Sequence, residues 1–279
     1  MTPLVTTEWL AAELGKSDLR VIDASLFLPA HNRNARAEFE AAHIPGAVFL
    51  DIEEVADTTS PLPFMLPPPE KFASRMQALG LGDGSRIVVY DNSPLKSSAR
   101  AWWMLTLFGA HEVAILDGGF AKWQTEARAQ ESGKPVVRHR HFTVWADKSL
   151  VRDKVQMTEN LRTKAEQVVD ARSAGRFAGS EPEANPALRP GHMPGARNLP
   201  YDRLFSDDGT WKQGAALQAE FDAAGVDLDK QTIATCGSGI TAAVIAFGAA
   251  LLGHKGMSIY DGSWAEWGAS ATSPVVTGA

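Results

Sequence analysis

One cysteine, Cys236, occurs in 279 residues. A single thiol excludes an internal disulfide and any metal centre built from a cysteine cluster. No apolar run approaches the roughly 20 residues needed to cross a bilayer. Residues 1–14 mix polar, apolar and charged side chains without the pattern of a signal peptide. Charge is modest too: a net −6 with 22% charged residues argues against nucleic acid or an anionic membrane as the main partner. What is present is an ordinary globular composition, 44% hydrophobic. The length suits roughly two domains, each able to bury its own core. The expectation is a cytoplasmic protein with no membrane segment and no metal or cofactor.

The lone cysteine lies in Thr232-Ile233-Ala234-Thr235-Cys236-Gly237-Ser238-Gly239-Ile240-Thr241-Ala242-Ala243. The β-branched run 232–235 reads as a strand, the glycines as a tight turn, and the alanine-rich stretch 240–252 as a buried helix. A free cysteine is commonly an inert core residue. Here the strand-to-helix turn offers backbone N–H groups and the positive end of a helix dipole, which favour the nucleophilic thiolate.

Elsewhere short strands alternate with helices. A helix is expected over 6–14, stopped by Gly15, and strands over 19–24, 47–50, 86–91 and 113–116. Further helices are expected over 70–79 and 99–108, a polar loop through His31, Arg33 and Arg36, and a proline-rich loop over 57–69. His43, beside Pro45-Gly46, reads as tied to the local backbone rather than as a catalytic base. The pattern loosens over 126–154, and Arg138-His139-Arg140-His141 reads as a solvated linker face rather than a metal or anion site.

The second half replays the first. Val168-Val169-Asp170-Ala171 answers Val21-Ile22-Asp23-Ala24, and Gly191-His192-Met193-Pro194-Gly195-Ala196 answers Ala42-His43-Ile44-Pro45-Gly46-Ala47. Asp261-Gly262-Ser263-Trp264 answers Asp117-Gly118-Gly119-Phe120, so all three matches fall at offsets of about 144 to 149 residues, the mark of a duplicated domain. Alternating strands and helices imply an α/β fold, each copy a mainly parallel sheet flanked by helices. Ligands of such sheets sit beyond the carboxyl ends of the strands, where Cys236 falls. The position matching Cys236 in the first copy is Asp91, which cannot serve as a thiol nucleophile. The expected division is an N-terminal domain over 1–140, a linker over 141–155 and a catalytic domain over 156–279.

Phe39-x-x-x-His43-Ile44-Pro45-Gly46-Ala47 and Ile259-Tyr260-Asp261-Gly262-Ser263-Trp264-Ala265-Glu266-Trp267 resemble the two signatures of the rhodanese sulfurtransferases, over essentially the whole chain. Cys236-Gly237-Ser238-Gly239-Ile240-Thr241-Ala242 is similar to the loop of the family's 3-mercaptopyruvate sulfurtransferases; thiosulfate-preferring relatives carry basic residues where Gly237 and Ser238 stand. The resemblance implies a ping-pong reaction. Cys236 takes sulfur from 3-mercaptopyruvate and releases pyruvate, and the loop from Gly237 through Gly239, Ile240 and Thr241 steadies the persulfide. With no second cysteine, the acceptor comes from outside: a small thiol, a thioredoxin-like protein or cyanide.

The resemblance also places Arg176, in Gly175-Arg176-Phe177, on the donor carboxylate, the role a guanidinium fork suits. A second arginine of many relatives aligns with Asn185; Arg189 could substitute if loop 181–190 folds over Cys236. A triad of aspartate, histidine and loop serine in relatives finds Asp51 and Ser238 here, but Phe64 in place of the histidine. Two other readings stay open, a thiosulfate:cyanide sulfurtransferase and a non-enzymatic persulfide carrier. A cysteine phosphatase is disfavoured, since the arginine it needs six residues after the cysteine is Ala242.

Overall fold

The computed structural model describes residues 1–278. The chain forms two compact units. The first comprises Met1–Thr58, Leu66–Asp147 and Asp207–Trp211; the second comprises Thr59–Met65, Lys148–Ser206 and the chain from Lys212 onward.

Each unit holds one five-stranded sheet. The first contains β1 (Leu4–Val5), β2 (Leu19–Asp23), β3 (Ala47–Phe49), β4 (Arg86–Tyr90) and β5 (Glu112–Leu116), in the order β1-β5-β4-β2-β3. The second contains β6 (Val151–Arg152), β7 (Gln167–Asp170), β8 (Arg197–Asn198), β9 (Thr232–Thr235) and β10 (Ser258–Tyr260), in the order β6-β10-β9-β7-β8. All pairings are parallel. The order is the same in both units, as duplication requires. The middle strands β4 and β9 are buried along nearly their whole length, so their sequences run apolar or β-branched instead of alternating.

Aromatic residues of the repeated motifs fill the cores. In the first unit Phe120 and Trp123 pack with Val21, Val88 and Ala114; in the second Trp264 and Trp267 pack with Met157, Ile233 and Tyr260. Their indole N–H groups remain satisfied, Trp123 donating to the Ala129 carbonyl at 2.8 Å and Trp267 to that of Pro274 at 2.9 Å. His43 and His192 are structural in both copies. Each ring stacks on a phenylalanine, Phe39 at 4.1 Å and Phe177 at 3.6 Å, and each Nδ1 meets that residue's carbonyl at 2.7 and 2.8 Å.

Where the sequence suggested a polar loop, Ala35–Ala41 is a helix, capped by Asn34, whose side-chain oxygen accepts from the Ala37 amide at 2.9 Å, and anchored by the buried Phe39. Helices Lys154–Thr163 and Gly214–Ala223, each burying two side chains, were likewise not expected from the sequence. Residues 141–147 pack along the first unit: the Asp83 amide donates to the His141 carbonyl at 2.9 Å and the Trp145 amide to that of Phe108 at 3.1 Å. His139 and His141 are exposed. No helix among the described residues is long and apolar enough to cross a membrane.

Candidate active site

The site is built at the carboxyl end of β9, the middle strand of the second sheet, where β7 and β10 flank it. Cys236 follows directly and is 2% exposed. The next strand over supports it, the Ala171 amide donating to the Thr235 carbonyl at 2.9 Å.

Helix Ser263–Trp267 then fixes the loop. The Trp264 amide donates to the Cys236 carbonyl at 2.9 Å and the Ala265 amide to the Gly237 carbonyl at 2.8 Å. Both peptides are trans, so the N–H groups of Gly237 and Ser238 point away from that helix, to the other side of the loop. Gly239 turns the chain at φ +80, a conformation that favours glycine, and Ala242–Leu251 follows as a helix buried on nearly every side. Ser263 itself adopts φ +48, rare for a residue with a side chain. Its hydroxyl holds it there, donating to the Tyr260 carbonyl at 2.8 Å and accepting from the Cys236 amide at 3.3 Å.

A chain of alternating charges runs from the end of β7 toward this loop. Asp170 accepts from Nε and Nη2 of Arg172, the Nη2 contact being 2.6 Å. Arg172 Nη1 donates to Glu183 Oε1 at 2.6 Å, and Glu183 Oε2 accepts from Nε (3.1 Å) and Nη2 of Arg176. The side chains of Asp170, Arg172 and Glu183 are each 1% exposed, that of Arg176 30%. Burial alone would weaken the charge on Arg172, but Asp170 and Glu183 outweigh it and hold the guanidinium above its ordinary value. A Cβ built on Gly237 would lie 3.2 Å from Arg176 Nη2, so glycine there leaves room for the guanidinium beside the loop.

The other residues singled out from the sequence fall as follows. Ser238 is half-buried, and Ile240 and Thr241 are buried where the loop enters the helix. Arg189 serves as a brace. Its Nε donates to the Gly268 carbonyl at 3.1 Å, and its Nη2 to the carbonyls of Trp267, Ser270 and Ser273. Asn185 is exposed and its side-chain oxygen accepts from the Ala187 amide at 3.0 Å. Asp51, in the first unit, caps helix Ile52–Val55 by accepting from the Glu53 and Glu54 amides at 3.1 Å, and pairs with Arg36 Nη2 at 3.2 Å. Phe64 adopts φ +57 within the segment Thr59–Met65.

Three residues of the site went unnoticed in the sequence. Arg172 and Glu183 are two. The third is Tyr201, half-buried after β8, whose amide donates to the Ala171 carbonyl at 3.2 Å. Burial raises its phenol above the ordinary value, with the charges of Asp202 and Cys236 adding to the effect. No cluster of three or more histidine, cysteine, aspartate or glutamate side chains able to hold a metal occurs among the described residues.

A parallel α/β sheet ending in a cysteine loop braced by a following helix, present as two copies with one cysteine, defines the rhodanese class. The chain belongs to that family: residues 6–126 and 153–270 each match the rhodanese-like domain. It is similar to the rat 3-mercaptopyruvate sulfurtransferase, with 42% identity over 95% of this chain and 91% of that one. A Chinese hamster (Cricetulus griseus) thiosulfate sulfurtransferase is 41% identical over the same shares. The crystal structure of SseA from Escherichia coli, described with the fold and catalytic mechanism of 3-mercaptopyruvate sulfotransferases, superposes with a TM-score of 0.86 at 40% identity over 95% of this chain and 99% of that one. The chain is a sulfurtransferase enzyme with two tandem rhodanese domains.

Proposed function

We propose that the sulfur donor is 3-mercaptopyruvate and that Cys236 carries the sulfur as a persulfide. The Cys236 thiolate attacks the donor's sulfur. A sulfur–sulfur bond forms, the carbon–sulfur bond breaks, and its electron pair leaves with carbon as the enolate of pyruvate, which is then protonated at that carbon. The N–H groups of the loop from Gly237 to Ala242 stabilise the charged outer sulfur, and Arg176 holds the donor's carboxylate. An external thiolate, from a small thiol or a thioredoxin-like protein, or cyanide, attacks the outer sulfur and restores the Cys236 thiolate. A cytoplasmic setting suits an enzyme that works through a free thiol.

One observation carries this reading: Arg176 lies beside a loop whose first two residues after the cysteine, Gly237 and Ser238, are uncharged. Thiosulfate is a compact dianion whose departing sulfite also bears two charges, and it calls for cations next to the sulfur. Mercaptopyruvate bears one carboxylate removed from its sulfur, which a single arginine at the loop's edge can hold. The hamster relative names thiosulfate, so the test is a direct comparison of donors. Pyruvate release from mercaptopyruvate with a small thiol acceptor is expected to far exceed sulfite release from thiosulfate; equal or reversed efficiencies would assign the other donor. A protein that accepts sulfur from a partner but releases no pyruvate would be a carrier.

A further inference from the structure

We propose that Glu183 is a positioning residue for this reaction: it aims Arg176 so that the Nη1/Nη2 end of the guanidinium faces the cysteine loop and receives the carboxylate of the donor. The inference rests on the role given to Arg176 above.

The bonding pattern assigns Glu183 to Arg176 rather than to Arg172. Arg172 already has a full partner, since Asp170 takes its Nε and Nη2 and the Gly191 carbonyl takes Nη2 again at 2.8 Å. Two carboxylates and two guanidiniums balance only when Arg176 is counted, and a second buried carboxylate without its own cation would be costly. Arg172 uses one nitrogen on Glu183, which fixes the carboxylate plane; Arg176 uses two on the other oxygen. Glu183 is thus anchored by a buried arginine and in turn anchors a half-exposed one.

The donor count then sets the direction. A guanidinium has five N–H groups, and Glu183 takes the one on Nε and one on Nη2. Those left are the pair on Nη1 and one on Nη2, at the far end of the fork. That end is the one nearest the loop: a Cβ on Gly237 would lie 3.2 Å from Nη2 and 4.0 Å from Nη1. Local sequence permits the arrangement. Gly175 has no side chain, and a Cβ there would stand 2.2 Å from the Glu181 carboxyl carbon, so glycine lets residues 181–183 close against the short helix Ala174–Ala178. Without Glu183 the long Arg176 side chain would regain its rotamers and the fork would lose its aim.

The test compares alkylation of Cys236 by iodoacetate and by iodoacetamide. Both report the same thiolate in the same folded fraction, but only iodoacetate carries a carboxylate, so the rate ratio reads how well the cation is aimed. The expected result for Glu183→Gln is a ratio lowered roughly 10-fold, the order of one charged hydrogen bond, and no further drop when Glu183→Gln is added to Arg176→Ala. Charge alone predicts the opposite, because removing a carboxylate beside Arg176 should speed an anion. A ratio that rises or stays level in Glu183→Gln, or that falls equally on the Arg176→Ala background, overturns the proposal. Should Glu183→Gln not fold, Glu183→Asp, which keeps the charge but is one methylene shorter, must lower the ratio in the same way, and an unchanged ratio overturns it. This ratio pattern among the variants, together with no pyruvate release from mercaptopyruvate by the wild-type protein, would support the positioning and refute the donor.

Discussion

The two units have one sheet order and one scaffold for the loop after the middle strand, yet they fill it with different chemistry. In the second unit the Cys236 carbonyl accepts from Trp264; in the first the Asp91 carbonyl accepts from Phe120 at 3.0 Å, the matching residue. Ser263 at φ +48 answers Gly119 at φ +57. Asp91 then turns its carboxylate onto its own loop, accepting from the Ser93 amide at 2.9 Å and the Ser98 amide at 2.8 Å. The first loop therefore holds a built-in anion on its N–H groups, while the second places a thiol there.

The strand beside it differs in the same sense. Asp170 and Asp23 answer each other, but two residues on, the second unit has Arg172 and the first has Ser25. Arg172 neutralises Asp170 and passes charge on through Glu183 to Arg176. Asp23 faces neutral donors instead of an arginine, the Ser25 amide at 2.8 Å and the hydroxyls of Ser25 and Tyr90, and burial pushes its carboxyl up to about 6, with Asp91 adding to the rise. The duplicated fold thus carries a cysteine beside a chain of paired charges in one copy and a self-bonded aspartate in the other, through a few side chains at strand ends.

The hardest way to break this comparison is at the thiol. Cys236→Ser should abolish turnover, and adding Asp91→Cys should not restore it, because the first unit has no arginine answering Arg172. Steady-state pyruvate release checks both, and activity in the double variant would make the copies interchangeable. Next come the paired aspartates, for which one substitution should act with opposite sign. Asp170→Asn removes the carboxylate that takes Arg172 Nε and Nη2, leaving two guanidiniums to share the buried Glu183, and should destabilise by about 3–5 kcal/mol. Asp23 is raised in the folded state, so its contribution to stability is complete below the ordinary carboxylate value and is lost as pH rises toward about 6. Asp23→Asn should therefore gain stability relative to wild type between pH 4 and pH 7.5, by on the order of 1–3 kcal/mol. Denaturant unfolding at the two pH values measures it, and a difference independent of pH would remove Asp23 from the argument.

Smaller effects sharpen the site itself. Arg176→Ala should lower kcat/KM for mercaptopyruvate roughly 10- to 150-fold, the worth of a charged hydrogen bond, with Arg176→Lys recovering part of it. Unchanged kinetics would leave Arg176 a structural partner of Glu183. The smallest shift is expected from Gly237→Arg with Ser238→Lys. The new side chain at 237 would crowd Arg176, and added cations should raise thiosulfate use while lowering mercaptopyruvate use; no change in the donor ratio would show that loop charge does not select the donor.

The strands, the duplication and the cysteine loop were legible because each is local: a buried run, a repeated string, a glycine turn next to the only thiol. The charge chain was not. Glu183 in Glu181-Pro182-Glu183 looks like any exposed acidic loop residue, and it is buried only because that loop closes over Arg172 and Arg176. Setting the repeats side by side would have exposed one end of it, since arginine stands in the second copy where the first has serine. Arg189 shows the reverse. Its place near Asn185 suggested a ligand contact, but its guanidinium meets carbonyls over 267–273, a partner set that only the folded C-terminal segment creates.

The claim that Cys236 carries the sulfur is tested most directly by a single turnover. The enzyme is mixed with excess mercaptopyruvate and no acceptor, pyruvate is quantified, and the peptide containing Cys236 is weighed by mass spectrometry. The account predicts a burst of one pyruvate per active site and a gain of one sulfur atom on Cys236, lost again when a thiol is added. Pyruvate released while Cys236 gains no sulfur, or an equal burst from Cys236→Ser, would contradict it.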